Sequence, residues 1–171
     1  MSVFKSLAEE HALLLSLVAR LESAAAEPDS RSAAKETRNL LLVLLKALEA
    51  HEGLEHLVFD REEGAPAAEE SATAALIERQ HAALGELRRE GAALLQGLPR
   101  EDSATMRGLS RRLARLLRRH FENEERALWP SLNASAGRSR LHRLDRQARE
   151  QVKAMKKEFD AYLSAVEDYL A

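Results

Sequence analysis

His51 and Glu55 stand four residues apart, and so do His120 and Glu124. At that spacing an imidazole and a carboxylate leave a helix from the same side, one turn apart. On an exposed face such a pair is a mild helix stabiliser. On an inward face it gathers nitrogen and oxygen donors, a set suited to first-row transition metals. Two further histidines, His11 and His81, sit in the middle of stripes of apolar residues. His11 and His51 are 40 residues apart, and His81 and His120 are 39 apart. The flanks echo as well: "LAEEHALL" against "IERQHAAL", and "HEGLEHLVF" against "HFENEERAL". The two halves read as one αα-hairpin written twice.

The stripes carrying these six side chains are expected to face a core, and a buried carboxylate without a partner costs several kcal/mol. Four neutral imidazoles are poor partners for two carboxylates, whereas a divalent metal satisfies all six groups together. Each glutamate can bridge a pair of ions through its two oxygens, with imidazoles in terminal positions. Magnesium and calcium favour all-oxygen sites, and structural zinc favours four closed ligands. Iron therefore ranks first, ahead of manganese and zinc. His56 points about a quarter-turn away from Glu55 and reads as a surface residue. His142 lies beside its helix's apolar stripe and reads as solvent-facing.

Five helices must position these groups. The first carries Phe4, Leu7, His11, Leu14, Val18 and Leu21 at three–four spacing, until "AEPDS" at 26–30 breaks it. Asp29 or Ser30 can cap the second, expected from about Arg31 to Glu62, with Leu44, Leu48, His51, Glu55 and Phe59 on its seam. "EEGAP" ends it. The third carries Ala74, Ile77, His81, Leu84 and Leu95 and stops near 97–99. The fourth carries Met106, Leu109, Leu113, Leu116, His120 and Glu124 until Pro130 closes it. The fifth follows "NASAGRS" with a stripe from Leu141 through Leu144, Ala148, Val152, Met155, Phe159, Leu163 and Val166 to Leu170. The fold expected is all-α: an up-down-up-down four-helix bundle over residues 1–135, with an additional C-terminal fifth helix over 136–171. That last helix packs on the bundle or on a partner chain, and a homodimer through it is one outcome.

Composition agrees. Leucine, alanine, glutamate and arginine dominate the 171 residues, and glycine and proline are scarce. The absence of cysteine excludes disulfides, thiolate metal sites and thiol nucleophiles. The longest apolar run, "LLLVLL" at 40–45, is too short to span a bilayer. Acidic residues occupy the place of a signal peptide's apolar segment, so a cytoplasmic protein is expected. A net charge of −2 makes electrostatics a poor basis for function. Arginines at 107–119 and 138–149 would meet in a basic patch if the last two helices lay side by side. Glu101, Asp102, Glu122 and Glu125 offset them, and no interleaved aromatics offer base stacking, so nucleic acid is not the expected partner.

His11, the pair in "HEGLE", His81 and the pair in "HFENE", in that order on four helices, resemble the hemerythrin-like (HHE cation-binding) family. The "EERALWP" tail resembles it too, and the likeness spans about residues 4–130. It implies a non-haem di-iron centre bridged by Glu55 and Glu124, with His11, His51, His81 and His120 as terminal ligands. Oxygen-carrying members have a second histidine one turn away on the third helix. Here Ile77 and Gly85 hold those positions, which counts against reversible oxygen carriage; Glu52, Glu78 or water would have to fill the place. A branch linked to iron–sulfur cluster repair carries a cysteine-bearing N-terminal segment, and nothing of that kind precedes His11. The expected function is binding or sensing of oxygen, peroxide or nitric oxide, or iron handling. The rivals are a peroxidase-, catalase- or ferroxidase-like enzyme on the same centre, and a helical interaction module with a structural metal.

Overall fold

A computed structural model describes residues 3–26, 31–59, 72–97, 103–130 and 138–170, and among them it contains helices and no strands. The helices are α1 (Val3–Ala26), α2 (Arg31–Phe59), α3 (Ala72–Gly97), α4 (Ser103–Asn123) and α5 (Arg138–Leu170), with a π-turn over Glu124–Leu128 following α4. The expected caps Asp29 and Ser30, the "EEGAP" break, the end of α2 beyond Phe59 and most of "NASAGRS" lie outside the described residues. So do the side chains of Phe59, Ala74, Leu163, Val166 and Leu170. No helix among the described residues is long and apolar enough to cross a membrane.

Helices α1 to α4 close a ring in which α1 packs on α2 and α4, and α3 packs on α2 and α4. Polar and ring contacts tie α1 to α2 and α4, and α3 to α4. Arg20 reaches Glu36 at 3.7 Å while His11 lies beside His51, with ring centroids 5.0 Å apart. Arg118 bonds Glu22 at 3.1 Å, and Arg112 bonds Glu90 at 2.7 Å. Each of these surface pairs is worth at most about 1 kcal/mol. Apolar burial does most of the holding.

That burial falls into two clusters. The larger contains Leu14 and Leu21 of α1, Leu44 and Leu48 of α2, Leu84 of α3, Leu113 and Phe121 of α4, and Met155 of α5. The smaller contains Val3, Leu7, Leu54, Trp129, Leu144 and Ala148. On α1, α2 and the α4 segment the switch from one cluster to the other falls at the polar groups: between Leu7 and Leu14 stands His11, between Leu48 and Leu54 stands His51, and between Phe121 and Trp129 stands Glu124. A polar layer thus crosses an otherwise leucine-rich interior.

Three features differ from the sequence expectation or add to it. First, the fourth helix is not a uniform α-helix to Pro130. The Trp129 N–H donates to the carbonyl of Glu124, five residues back, which admits one extra residue to the turn. Glu124 and Trp129 thereby both face inward, a relation that a 3.6-residue period does not contain. Second, the principal neighbours of α5 are α1 and α2. The condition for a basic patch, the last two helices side by side, is therefore not met, and Arg112 and Arg118 pair with Glu90 of α3 and Glu22 of α1. Third, α3 approaches its neighbours closely at Gly91, where an added Cβ would stand 2.9 Å from Cδ1 of Leu45 and 3.3 Å from Cδ2 of Leu109. Gly91→Val should destabilise the fold by about 1–3 kcal/mol through overpacking. Gly91→Ala should change it much less, because helix propensity gains about 1 kcal/mol while Leu45 shifts. Urea midpoints of the two variants check this.

Candidate metal centre

The six side chains singled out by their spacing meet at one level of the bundle. Helix α1 brings His11, α2 brings His51 and Glu55, α3 brings His81, and α4 with its π-turn brings His120 and Glu124. Five of them are at most 1% exposed, while His81 is 22% exposed. Every ring presents Nε2 to the carboxylates. Glu55 lies 2.8 Å from His51, 3.0 Å from His81, 3.7 Å from His120 and 4.0 Å from His11. Glu124 lies 3.4 Å from both His11 and His120 and 3.8 Å from His81.

Close approach has not made these groups hydrogen-bond partners. All four Nε2 atoms, and all four carboxylate oxygens of Glu55 and Glu124, are buried without one. Such a concentration of orphaned donors and acceptors is costly in a native interior unless something else satisfies it. The donor atoms fall into two sets, His11–His51–Glu55–Glu124 and His81–His120–Glu55–Glu124, each with its ligand atoms within 4.8 Å of one another. Both glutamates belong to both sets. Two cations sharing two carboxylates, each with its own pair of imidazoles, fit this geometry and the mixed N/O chemistry. The first position is fully enclosed, and the second opens to solvent at His81.

Without metal the layer relies on protons. Burial, followed by the charge on His51, pushes the His11 imidazole down to about 2. Burial also lowers His120. Burial opposes charge on His51 too, but the carboxylates of Glu55 and Glu10 outweigh it and hold the imidazolium well above its ordinary range. Glu55 is the counterpart: burial would raise it, yet His51 and the other imidazoles keep it well below the usual carboxylate range. Burial and the charge of Glu55 raise Glu124 well above that range. In the metal-free layer these directions favour charge on His51 and Glu55 and the neutral form of Glu124. Metal must displace the protons of His51 and Glu124, so uptake near neutral pH should release about two protons per pair of ions. Affinity should therefore rise with pH. Calorimetric titration in buffers of different ionisation heat counts those protons, and a count of zero would contradict the assignment.

Side chains around the layer fix its rings. Phe121 stacks on His11 with centroids 3.8 Å apart and planes 12° from parallel, and Trp129 lies 5.0 Å from the same ring. Nδ1 of His11 meets Glu125 at 2.9 Å, and Nδ1 of His51 faces the fully buried Glu10 at 3.5 Å. A carboxylate behind a ligating histidine is the usual means of fixing its tautomer and orientation. Sequence reading missed Glu10, Glu125 and Phe121 because each stands beside a motif residue and looks like its solvated or apolar neighbour. The buried position of Glu10 one residue before His11 carried no periodic signal of its own.

The groups considered as replacements for a fifth histidine lie elsewhere. Glu52 is ion-paired with Arg88, and Glu78 is exposed; neither joins either ligand set. Ile77 is buried, and Gly85 faces open space. His56 and His142 are exposed, as their positions in the sequence suggested.

Comparison with known proteins gives one result. The profile described as Hemerythrin HHE cation binding domain matches residues 72–170, more than half of the chain. No curated protein and no solved structure matches it. The match covers α3, α4 and α5, so it differs in extent from the likeness carried by the motifs over residues 4–130. His81, His120 and Glu124 fall inside it, and His11, His51 and Glu55 precede it.

Proposed function

The chain belongs to the hemerythrin HHE cation-binding family, and on that premise we propose that His11, His51, Glu55, His81, His120 and Glu124 hold two iron ions that bind oxygen, peroxide or nitric oxide. The observation that carries this reading is the pair of ligand sets sharing Glu55 and Glu124, whose eight inward-facing atoms are otherwise without hydrogen-bond partners. Glu55 and Glu124 would be shared by the two positions, and two imidazoles would serve each. Four protein atoms per ion leave coordination places for a small exogenous ligand. When bound, the iron pair supplies redox chemistry and those open places; the chain supplies position, charge and exclusion of water. The opening at His81 favours entry of the ligand at the second position.

The bundle is read as up-down-up-down. In support, contacts along α1 and α4 run from Glu22–Arg118 to His11–Glu124, so one number falls as the other rises. Contacts from Glu90–Arg112 to His81–His120 do the same for α3 and α4. The chain is further read as acting in the cytoplasm, consistent with its lack of cysteine.

Elemental analysis of anaerobically purified protein, with optical spectra before and after air and peroxide, tests the proposal. About two irons per chain and a ligand-dependent spectrum with slow turnover are expected. Rapid catalytic consumption of peroxide or ferrous ion would instead make the same centre an enzyme. No uptake after anaerobic ferrous reconstitution would reject the metal reading and favour an interaction module.

A further inference from the structure

The polar layer does not stop at the four bundle helices. On α5, Ala148 belongs to the smaller apolar cluster and Met155 to the larger, and between them stands Gln151. It occupies on α5 the place that His11 and His51 occupy on α1 and α2. Its Nε2 donates to the carbonyl of Ala50, the residue before His51, and lies 3.4 Å from Oε1 of Glu10. The other oxygen of Glu10 faces Nδ1 of His51 at 3.5 Å, and both atoms are buried without a hydrogen bond. A fully buried carboxylate is thus held from behind by the fifth helix and aimed at the back of one imidazole, whose Nε2 points into the ligand layer.

We propose that Gln151 and Glu10 form a positioning chain that holds His51 in its ligand orientation, tying the seating of the fifth helix to occupancy of the enclosed metal position. This rests on the metal reading given above. Neither residue touches the ion; both act through His51, as outer carboxylates do behind ligating histidines. Coupling of this kind is reciprocal: if a seated α5 favours metal, metal favours a seated α5 by the same factor. A small ligand that alters the ion's hold on His51 would then loosen or tighten α5. The helix becomes the part of the molecule that reports the state of the centre.

Titration with cobalt(II) against a competing chelator, on the parent chain and on Gln151→Leu, Glu10→Gln and Met155→Ala, tests this. Gln151→Leu and Glu10→Gln should each weaken one of the two ions by about 10–100-fold and the other by less than about threefold. Met155→Ala removes apolar packing from the same helix but leaves Gln151 and Glu10 in place, so it should weaken the enclosed ion less than Gln151→Leu does. Backbone hydrogen exchange across residues 141–159 should slow on metal loading in the parent and not in Gln151→Leu. Parent-like affinities in both Gln151→Leu and Glu10→Gln, or equal weakening of both ions, overturn the proposal, as does exchange indifferent to metal. A parent chain that takes up no cobalt overturns the metal reading beneath it, a result separable from these.

Discussion

Glu55→Gln and Glu124→Gln should both abolish loading of the metal pair, yet have opposite consequences for the metal-free protein. Each glutamate belongs to both ligand sets, so losing either carboxylate removes a donor from both positions at once. The affinity loss should exceed the roughly 10–100-fold typical of an outer-shell partner. Without metal the two residues differ. Glu55 is ionised and answers the buried imidazolium of His51. Removing one member of a buried pair costs about 3–5 kcal/mol, so metal-free Glu55→Gln should be severely destabilised. Burial and the charge of Glu55 favour the neutral form of Glu124 there, and an amide resembles a neutral carboxyl. Metal-free Glu124→Gln should unfold within about 1 kcal/mol of the parent. Metal content with urea denaturation of the metal-free proteins measures both arms. Equal destabilisation by the two substitutions would mean that the charge is not placed as described.

Metal removal should produce the largest shift in thermal stability. An ion that binds the folded chain alone contributes about 4 kcal/mol at a thousandfold excess over its dissociation constant. For a chain of this length that corresponds to a rise in Tm of about 8–16 °C, lost on chelation. The pH dependence should change as well. In the metal-free fold His11 is neutral down to about 2, whereas in the unfolded chain it titrates near 6.5. Because the folded value lies below the unfolded one, this stability is present above about pH 6.5 and is lost as pH falls below it. His120 acts in the same direction, whereas His51 and Glu124, both raised in the fold, act in the opposite one. Scanning calorimetry of metal-free and loaded protein at pH 5.5 and 7.5 tests both claims. A Tm indifferent to metal at pH 7.5 would be incompatible with ions inside the layer.

How much of this was legible beforehand follows from the kind of signal each feature leaves. His11, His51, His81 and His120 were legible because histidines interrupt leucine stripes, and Glu55 and Glu124 because they repeat one turn later. Helix periodicity located all five helices for the same reason. The π-turn left no such mark: "ENEERALW" scans as ordinary helix, and only the backbone bond from Trp129 to Glu124 reveals the added residue. Glu10 and Gln151 were hidden by composition, since a glutamate in "LAEEH" and a glutamine in "REQVK" look like surface residues. The burial of Glu10 and the half-buried seat of Gln151 depend on where α5 lies, and the side of the bundle that a fifth helix covers is a tertiary fact.

The polar layer between two apolar clusters also bears on how this chain finds a single arrangement. Leucines recur so regularly along α1, α2 and α4 that a helix displaced lengthwise by one turn would still meet leucine over most of its length. At the layer, the same displacement of α2 would carry Glu55 to the level of His51 and leave an imidazole facing hydrocarbon. Buried polar groups are best attested as selectors of register in such repetitive interiors. The residues proposed to hold metal would then also act as an alignment key, giving each helix one depth in the bundle before any ion arrives.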